Sequence, residues 1–229
     1  MLLLVIPGPF STAARRLPLM AILAFSALSA GAGEARLPRF VPDAEKVEEL
    51  VLQGSTWTYG GETFTINLRR VSDQERLNYI ERMTGLAIDP FATRPGYDPR
   101  FMSFLLLIEN KGEGSIGFNA LDSWLKTNHS QLETPLGLTD LSFAYHTAGR
   151  DFPAAYERVG RVMLDGSRTI QPGGSLSGLM IYHVVEPSTR RFNVDVELVL
   201  PTGDVEKFSA PYRREKKKKD GDNGGKKDG

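Results

Sequence analysis

Cysteine is absent from this 229-residue chain. That excludes a disulfide framework, a thiolate nucleophile, a cysteine metal site and a lipid-bearing cysteine. Histidine is scarce, and His129, His146 and His183 stand singly, without the H-x-x-x-H or H-E-x-x-H spacing of a zinc site. Net charge is also missing, since 28 basic residues balance 28 acidic ones. The balance is uneven along the chain. From Gly33 to Tyr212 acids outnumber bases 24 to 18, whereas from Arg213 to Gly229 bases outnumber acids 8 to 4. An acidic body lacks the basic face that phosphate neutralisation needs, so the folded part is not expected to bind nucleic acid. Long apolar runs are lacking too. The stretch Leu17–Ala30 contains Pro18 and spans 14 residues, short of the ~18 or more that a membrane-spanning helix requires.

What is present begins at the N-terminus. Arg15 and Arg16, the short apolar stretch and the small residues Ala30, Gly31 and Ala32 together read as a secretory signal with cleavage near Ala32. The expected address is therefore the periplasm or the cell exterior. The adjacent arginines leave a twin-arginine route open beside the general one. Three segments follow from composition: residues 1–35 as signal peptide, 36–212 as one domain, and 213–229 as a disordered basic tail.

Within the domain, short strands dominate. Phe64, Ile66 and Leu68 alternate with polar residues, and Thr56–Tyr59 before them predicts a hairpin turning on Gly60 and Gly61. Ser72 with Glu75 forms a capping box that opens a helix, with Leu77, Ile80 and Met83 facing inward and Gly85 as its stop. Phe101–Glu109 is apolar on both faces and reads as a central strand. Strands are also expected near Ser115–Asn119, Trp124–Thr127, Leu141–Tyr145, Arg168–Ile170, Leu176–Val185, Phe192–Leu200 and Val205–Ala210. Asp151 before Pro153 opens a second short helix running to about Met163. The pattern predicts an all-β antiparallel sandwich with two short helical insertions.

Two segments carry a resemblance. Phe101–Asn110, followed by Gly112 and then Ile116–Phe118, and Ile170–Tyr182 with its Pro172-Gly173 turn, followed by Arg191–Leu200, resemble the strand patterns of bacterial exported immunoglobulin-like domains. The resemblance implies an immunoglobulin-like β-sandwich in the cell envelope. It implies no activity, because the shared motifs are structural.

Motifs with catalytic overtones are few. Gly112, Gly114 and Gly117 match G-x-G-x-x-G formally, but the segment after them looks extended, so a hairpin turn is expected rather than a dinucleotide site. Gly174–Gly178 has Leu176 where a nucleophile elbow needs serine. No residue is assigned a catalytic, cofactor-binding or metal role, and no cofactor is expected. The function expected is a non-catalytic binding module of the envelope, its partner a protein or an envelope polysaccharide. The basic tail would add weak attraction to an anionic membrane surface. Two other classes compete with that reading. A hydrolase would have to gather His146 or His183 with acids such as Asp140 or Glu186, and a scaffold would act by strand addition. Loops Asp89–Arg100 and Leu132–Asp151 are the expected functional surface, and Trp57, Tyr59, Trp124, Tyr145 and Tyr156 are candidates for an aromatic face.

Overall fold

The computed structural model describes residues 39–46, 50–93, 99–140 and 159–215. Among them, twelve strands form two antiparallel sheets. The five-stranded sheet runs β10-β5-β4-β3-β2, from Ser175–His183, Phe101–Asn110, Phe64–Val71 and Thr56–Gly60 to Val51–Gln53. The seven-stranded sheet has β1 (Phe40–Pro42), β12 (Val205–Arg214), β11 (Arg191–Val199), β6 (Ile116–Asn119) and β9 (Ser167–Ile170) in that order, with β7 (Trp124–Thr127) joining β11 to β8 (Leu132–Glu133).

Alternation decides which side chains meet between the sheets. Ile66 and Leu68 from β4, Phe104, Leu106 and Ile108 from β5, and Phe192, Val194, Val196 and Leu198 from β11 are all buried in one core. Trp57 lies in the same core and donates its indole N–H to Pro211 O. The apolar character of both faces of β5 has a second cause. Phe101 and Leu105 turn outward and, with Leu179 and Ile181 of β10, meet Tyr79, Ile80, Phe91, Leu136, Val159 and Val162 in a second core outside the five-stranded sheet.

The helix α1 (Asp73–Thr84) forms much of that outer layer. Its capping box is complete, and Gly85 closes it in the left-handed conformation that glycine adopts without steric cost. Its buried face corrects the expected one. Met83 is exposed, Leu77 only half-buried, and the inward residues are Arg76, Tyr79 and Ile80. The Ser72 backbone N–H, ahead of a hydroxyl bond from Ser72 and the charge of Arg69, holds the Glu75 carboxyl below its ordinary 4.5. A group depressed in this way stabilises the fold above its unfolded pKa and stops doing so as pH falls through the folded value. Ser72→Ala keeps the backbone N–H but removes the hydroxyl cap, so it should cost about 1 kcal/mol at pH 7. The gap between variant and parent in urea denaturation should shrink at pH 3 only by the share carried by the hydroxyl bond to Glu75.

Two turns differ from expectation. Gly60 pairs with Thr65 inside the ladder, so the β3–β4 connection is the three residues Gly61–Thr63 rather than a glycine pair. Keeping Trp57 opposite Leu68 and Tyr59 opposite Ile66 fixes that register. The connection around Gly112 is also no hairpin, because β5 and β6 belong to different sheets and the chain crosses between them there. Ahead of the β2–β3 pair the chain makes a 3-10 turn at Ala44–Lys46 before the short strand β2. β12 carries on through Arg213 and Arg214. The strand expected at Leu141–Tyr145 lies outside the described residues, as does most of the helix expected from Asp151; its described end is helical at Val159 and Gly160, and Met163 bridges to Leu179.

Candidate functional site

The two sheets present their outer faces differently. On the five-stranded sheet the helix layer covers the outside at the end holding Val71, Ser103, Leu179 and Ile181 and is pinned there by a buried ionic cluster. Thr65, Glu109 and Ser175, and Asn67 with Ser177, stay partly or fully exposed. Arg76, 1% exposed, donates from Nε and Nη2 to Asp89 at 2.7–3.1 Å and from Nη1 to Ser103 Oγ at 2.8 Å. Asp89 also accepts from the Phe91 backbone N–H, and the guanidinium lies 5.9 Å from the Phe91 ring centre. Asp73 completes the cluster, 3.1 Å from Arg76 and hydrogen-bonded to Thr93. The start of the Asp89–Arg100 loop is thus packed against the sheet rather than displayed as a binding loop: Asp89 and Phe91 are both buried. Residues 94–98 of it lie outside the described residues.

On the outer face of the seven-stranded sheet Lys126, Asn193, Lys207, Val199 and Val205 are exposed, while Asp195 and Pro211 between them are buried. Residues directly opposite in an antiparallel ladder share a face, so the register places Lys126, Asn193 and Pro211 in one row, Trp124, Asp195 and Ser209 in the next, then Glu197 with Lys207, and Gly117, Val199 and Val205 last. The middle rows are knit together. Asn193 Nδ2 donates to Ser209 Oγ (3.1 Å), Ser209 donates to Asp195 Oδ1 (2.6 Å), and Lys207 Nζ lies 3.2 Å from Asp195 and 3.5 Å from Glu197. Partial burial works against the Lys207 charge, but Asp195 and Glu197 outweigh it and raise its pKa. Trp124 is half-buried beside this network. The result is a set of linked donors and acceptors centred on the buried Asp195 and flanked by one indole. Adjacent strands set these groups ~4.8 Å apart and alternate residues along a strand ~6.8 Å apart.

The remaining candidates fall elsewhere. Trp57 is core, Tyr59 is half-buried with its hydroxyl bonded to Glu206, and Tyr145 and Tyr156 lie outside the described residues. His183 is exposed while Tyr182 before it is buried, and its ring lies 5.7 Å from that of Phe101. His129 contacts Asn128 and Ser188 O, and His146 lies outside the described residues. Asp140 accepts from the Gly137 backbone and Glu186 from Ser188. Among the described residues no three His, Cys, Asp or Glu side chains come together as a metal site, and no helix is long and apolar enough to cross a membrane. Ser175 and Ser177 sit on β10, Ser177 3.5 Å from the Tyr79 hydroxyl, without the strand-to-helix turn of a nucleophile elbow. The glycines at 112, 114 and 117 lead into β6, not into a helix. In the Leu132–Asp151 region, Leu132 is exposed on β8 and Leu136 is packed in the outer core; residues 141–150 lie outside the described ones.

Sequence reasoning missed the polar network because its members come from β7, β11 and β12 and meet only through the register. No family model matches the chain, and no curated protein matches it. Among solved structures it is similar to the yjhA protein of Bacillus subtilis, at a TM-score of 0.32 and 14% identity over 60% of this chain and 76% of that one. It is also similar to a Bacillus subtilis subsp. subtilis str. 168 protein described as a putative lipoprotein (ycdA), at a TM-score of 0.37 and 11% identity over 66% of this chain, spanning 37% of that one.

Proposed function

We propose that the chain is a non-catalytic binding module of the bacterial cell envelope that takes an extended polysaccharide on the outer face of its seven-stranded sheet. The observation carrying this is the contrast between the two faces. One is covered over its α1 end by a helix layer and a buried ion pair; the other carries the network of Asn193, Ser209, Lys207 and Glu197 around the buried Asp195, beside Trp124. Sugar hydroxyls need donors and acceptors already fixed in place, and an indole offers a surface for the apolar face of a pyranose ring. The frame is a variant of the immunoglobulin-like key. Pairing of β5 with β10, and the run β6-β11-β12, correspond to the B–E and C–F–G pairings of that fold. The signal-like segment before residue 36 supports export.

The two tryptophans make a direct test. Trp57 is buried and Trp124 is not, so a glycan seated on this face should shift the emission of Trp124 alone. We expect a fluorescence change on titration with envelope polysaccharide fragments, lost in Asn193→Ala/Lys207→Ala, which keeps the Trp124 reporter. A set of such glycans that leaves emission unchanged, or binding that survives the double substitution, would sink the reading. A second reading has one observation in its favour. β9 ends its sheet with Ser167, Arg168 and Thr169 exposed and no strand on its outer side among the described residues, so it could accept a partner strand. The matching edge of β10 is instead taken up by bonds to Leu136, Val162 and Leu164.

A further inference from the structure

The strands β1, β12 and β11 end side by side at one rim of the seven-stranded sheet, and each delivers arginine there. Glu215 N donates to Arg39 O (2.7 Å) and Arg214 N to Arg190 O (2.8 Å), while Arg191 pairs with Arg213 across the ladder. Five arginines distant in sequence, Arg39, Arg190, Arg191, Arg213 and Arg214, thereby become neighbours.

Few carboxylates answer them. Asp43, 1% exposed, is shared between Arg191 Nε at 3.3 Å and Arg213 Nε at 3.4 Å. The Nη groups of both have no partner among the described residues, and the two side chains are 49% and 35% exposed. Arg39 meets Glu215 at 3.6 Å, with both side chains largely in solvent, an arrangement that contributes little. Arg190 has no carboxylate partner among the described residues. Among the described residues the Arg214 side chain donates to Pro187 O alone. Just behind, burial and then the like charge of Arg39 act against the Arg70 guanidinium, whose pKa is lowered although Tyr212 and Asp73 favour its charge. Glu186 is the further acid near this end, bonded to Ser188. The sequence continues from Glu215 directly into Lys216–Lys219.

We propose that this arginine rim is a docking surface for an anionic phospholipid bilayer, with the rim facing the headgroups. Guanidinium groups suit phosphate because their planar fork can bond two oxygens at once. Three strands of one sheet bring the five groups to a single rim, Arg191 and Arg213 on one face and Arg190 and Arg214 at the alternate positions. That concentrates positive charge where a layer of phosphodiesters could meet it. The rest of the body is acidic, so the domain carries a charge asymmetry that turns the rim toward a negative surface. The inference rests on the envelope reading, but vesicle binding in solution is independent of any glycan.

The test is flotation of the full chain with vesicles of phosphatidylcholine alone and with one-fifth phosphatidylglycerol. Taking the ratio of the two affinities removes any apolar contribution from the N-terminal segment. The parent should prefer the anionic vesicles, and Arg190→Glu/Arg214→Glu should reduce that preference roughly tenfold or more with the lysine tail intact. Arg190→Lys/Arg214→Lys should keep most of it, and circular dichroism should be unchanged in both. An absent preference in the parent, or one that the glutamate pair leaves intact, overturns the proposal. So does dextran sulfate binding as tightly as the vesicles with the same arginine dependence, which would mean that the rim reads any polyanion.

Discussion

Asp89→Ala should destabilise the protein by about 3–5 kcal/mol, because it leaves the Arg76 guanidinium buried without its main counter-charge. Arg76 is 1% exposed and gives three of its hydrogen bonds to Asp89. What remains is Ser103, and Asp73 at 3.1 Å, whose side chain is half in water. Removing both charges is a different matter. Arg76→Met/Asp89→Ala replaces the pair with apolar volume beside Phe91, Ile80 and Leu105, and should recover much of the loss. The double-mutant cycle, read by urea denaturation, should therefore be strongly non-additive. An Asp89→Ala cost below about 1 kcal/mol would mean that the cluster is solvated and does not pin the helix layer. The seven-stranded sheet's network should behave otherwise. Lys207→Ala touches a half-exposed ammonium and should change stability by a few tenths of a kcal/mol.

The cluster also marks where reading the chain in order fails. Strand alternation is local, and Phe64 to Leu68 and Phe192 to Leu198 declare their inward faces without help from the rest of the chain. The capping box at Ser72 is local too. The helix face is not. Arg76 counts as polar in any hydrophobic pattern, and its partner Asp89 comes 13 residues later, across a turn. The pattern therefore turned Met83 inward, whereas the structure spends that face on Arg76, Tyr79 and Ile80. The second core was half visible: β5 is apolar on both sides, which requires something to cover each.

The candidate surfaces were less legible still. Asn193, Asp195 and Glu197 look in sequence like Thr65, Asn67 and Arg69, polar residues alternating along a half-buried strand. Which part of each outer face is covered depends on where the helix layer packs, a tertiary choice that alternation does not encode. The arginine rim is hidden for a related reason. Arg39, Arg190 with Arg191, and Arg213 with Arg214 lie far apart in the chain, and the acidic average of the body conceals them. The last two also resemble the start of the basic tail, although they finish β12.

Asn110 carries the second large effect, and it bears on how the two sheets are held together. It ends β5 in the five-stranded sheet, yet its side chain works on the other one. Nδ2 donates to Gly114 O (2.8 Å), just before β6, and to Ile170 O (2.9 Å), at the end of β9, while Oδ1 accepts from Gly112 N (3.0 Å). The residue is 2% exposed. Its backbone N–H and C=O are already bonded to Gly174 and Gly173, so the side chain adds a cross-sheet tie that the backbone does not make. Asn110→Ala should cost about 3 kcal/mol, since two carbonyls and one amide would lose their partner at a buried crossing. Asn110→Asp is the sharper substitution. It nearly preserves shape but sets a carboxylate against two carbonyl oxygens, so at pH 7 it should be less stable than Asn110→Ala. The new carboxyl would have its folded-state pKa raised by those carbonyls and by burial, so protonation favours the folded form. Its penalty is then greatest above that raised value and shrinks as pH falls through it. Urea midpoints of the two variants should converge, or cross, between pH 7 and pH 4. If Asn110→Asp instead follows Asn110→Ala at every pH, the amide is not what joins the sheets at this crossing.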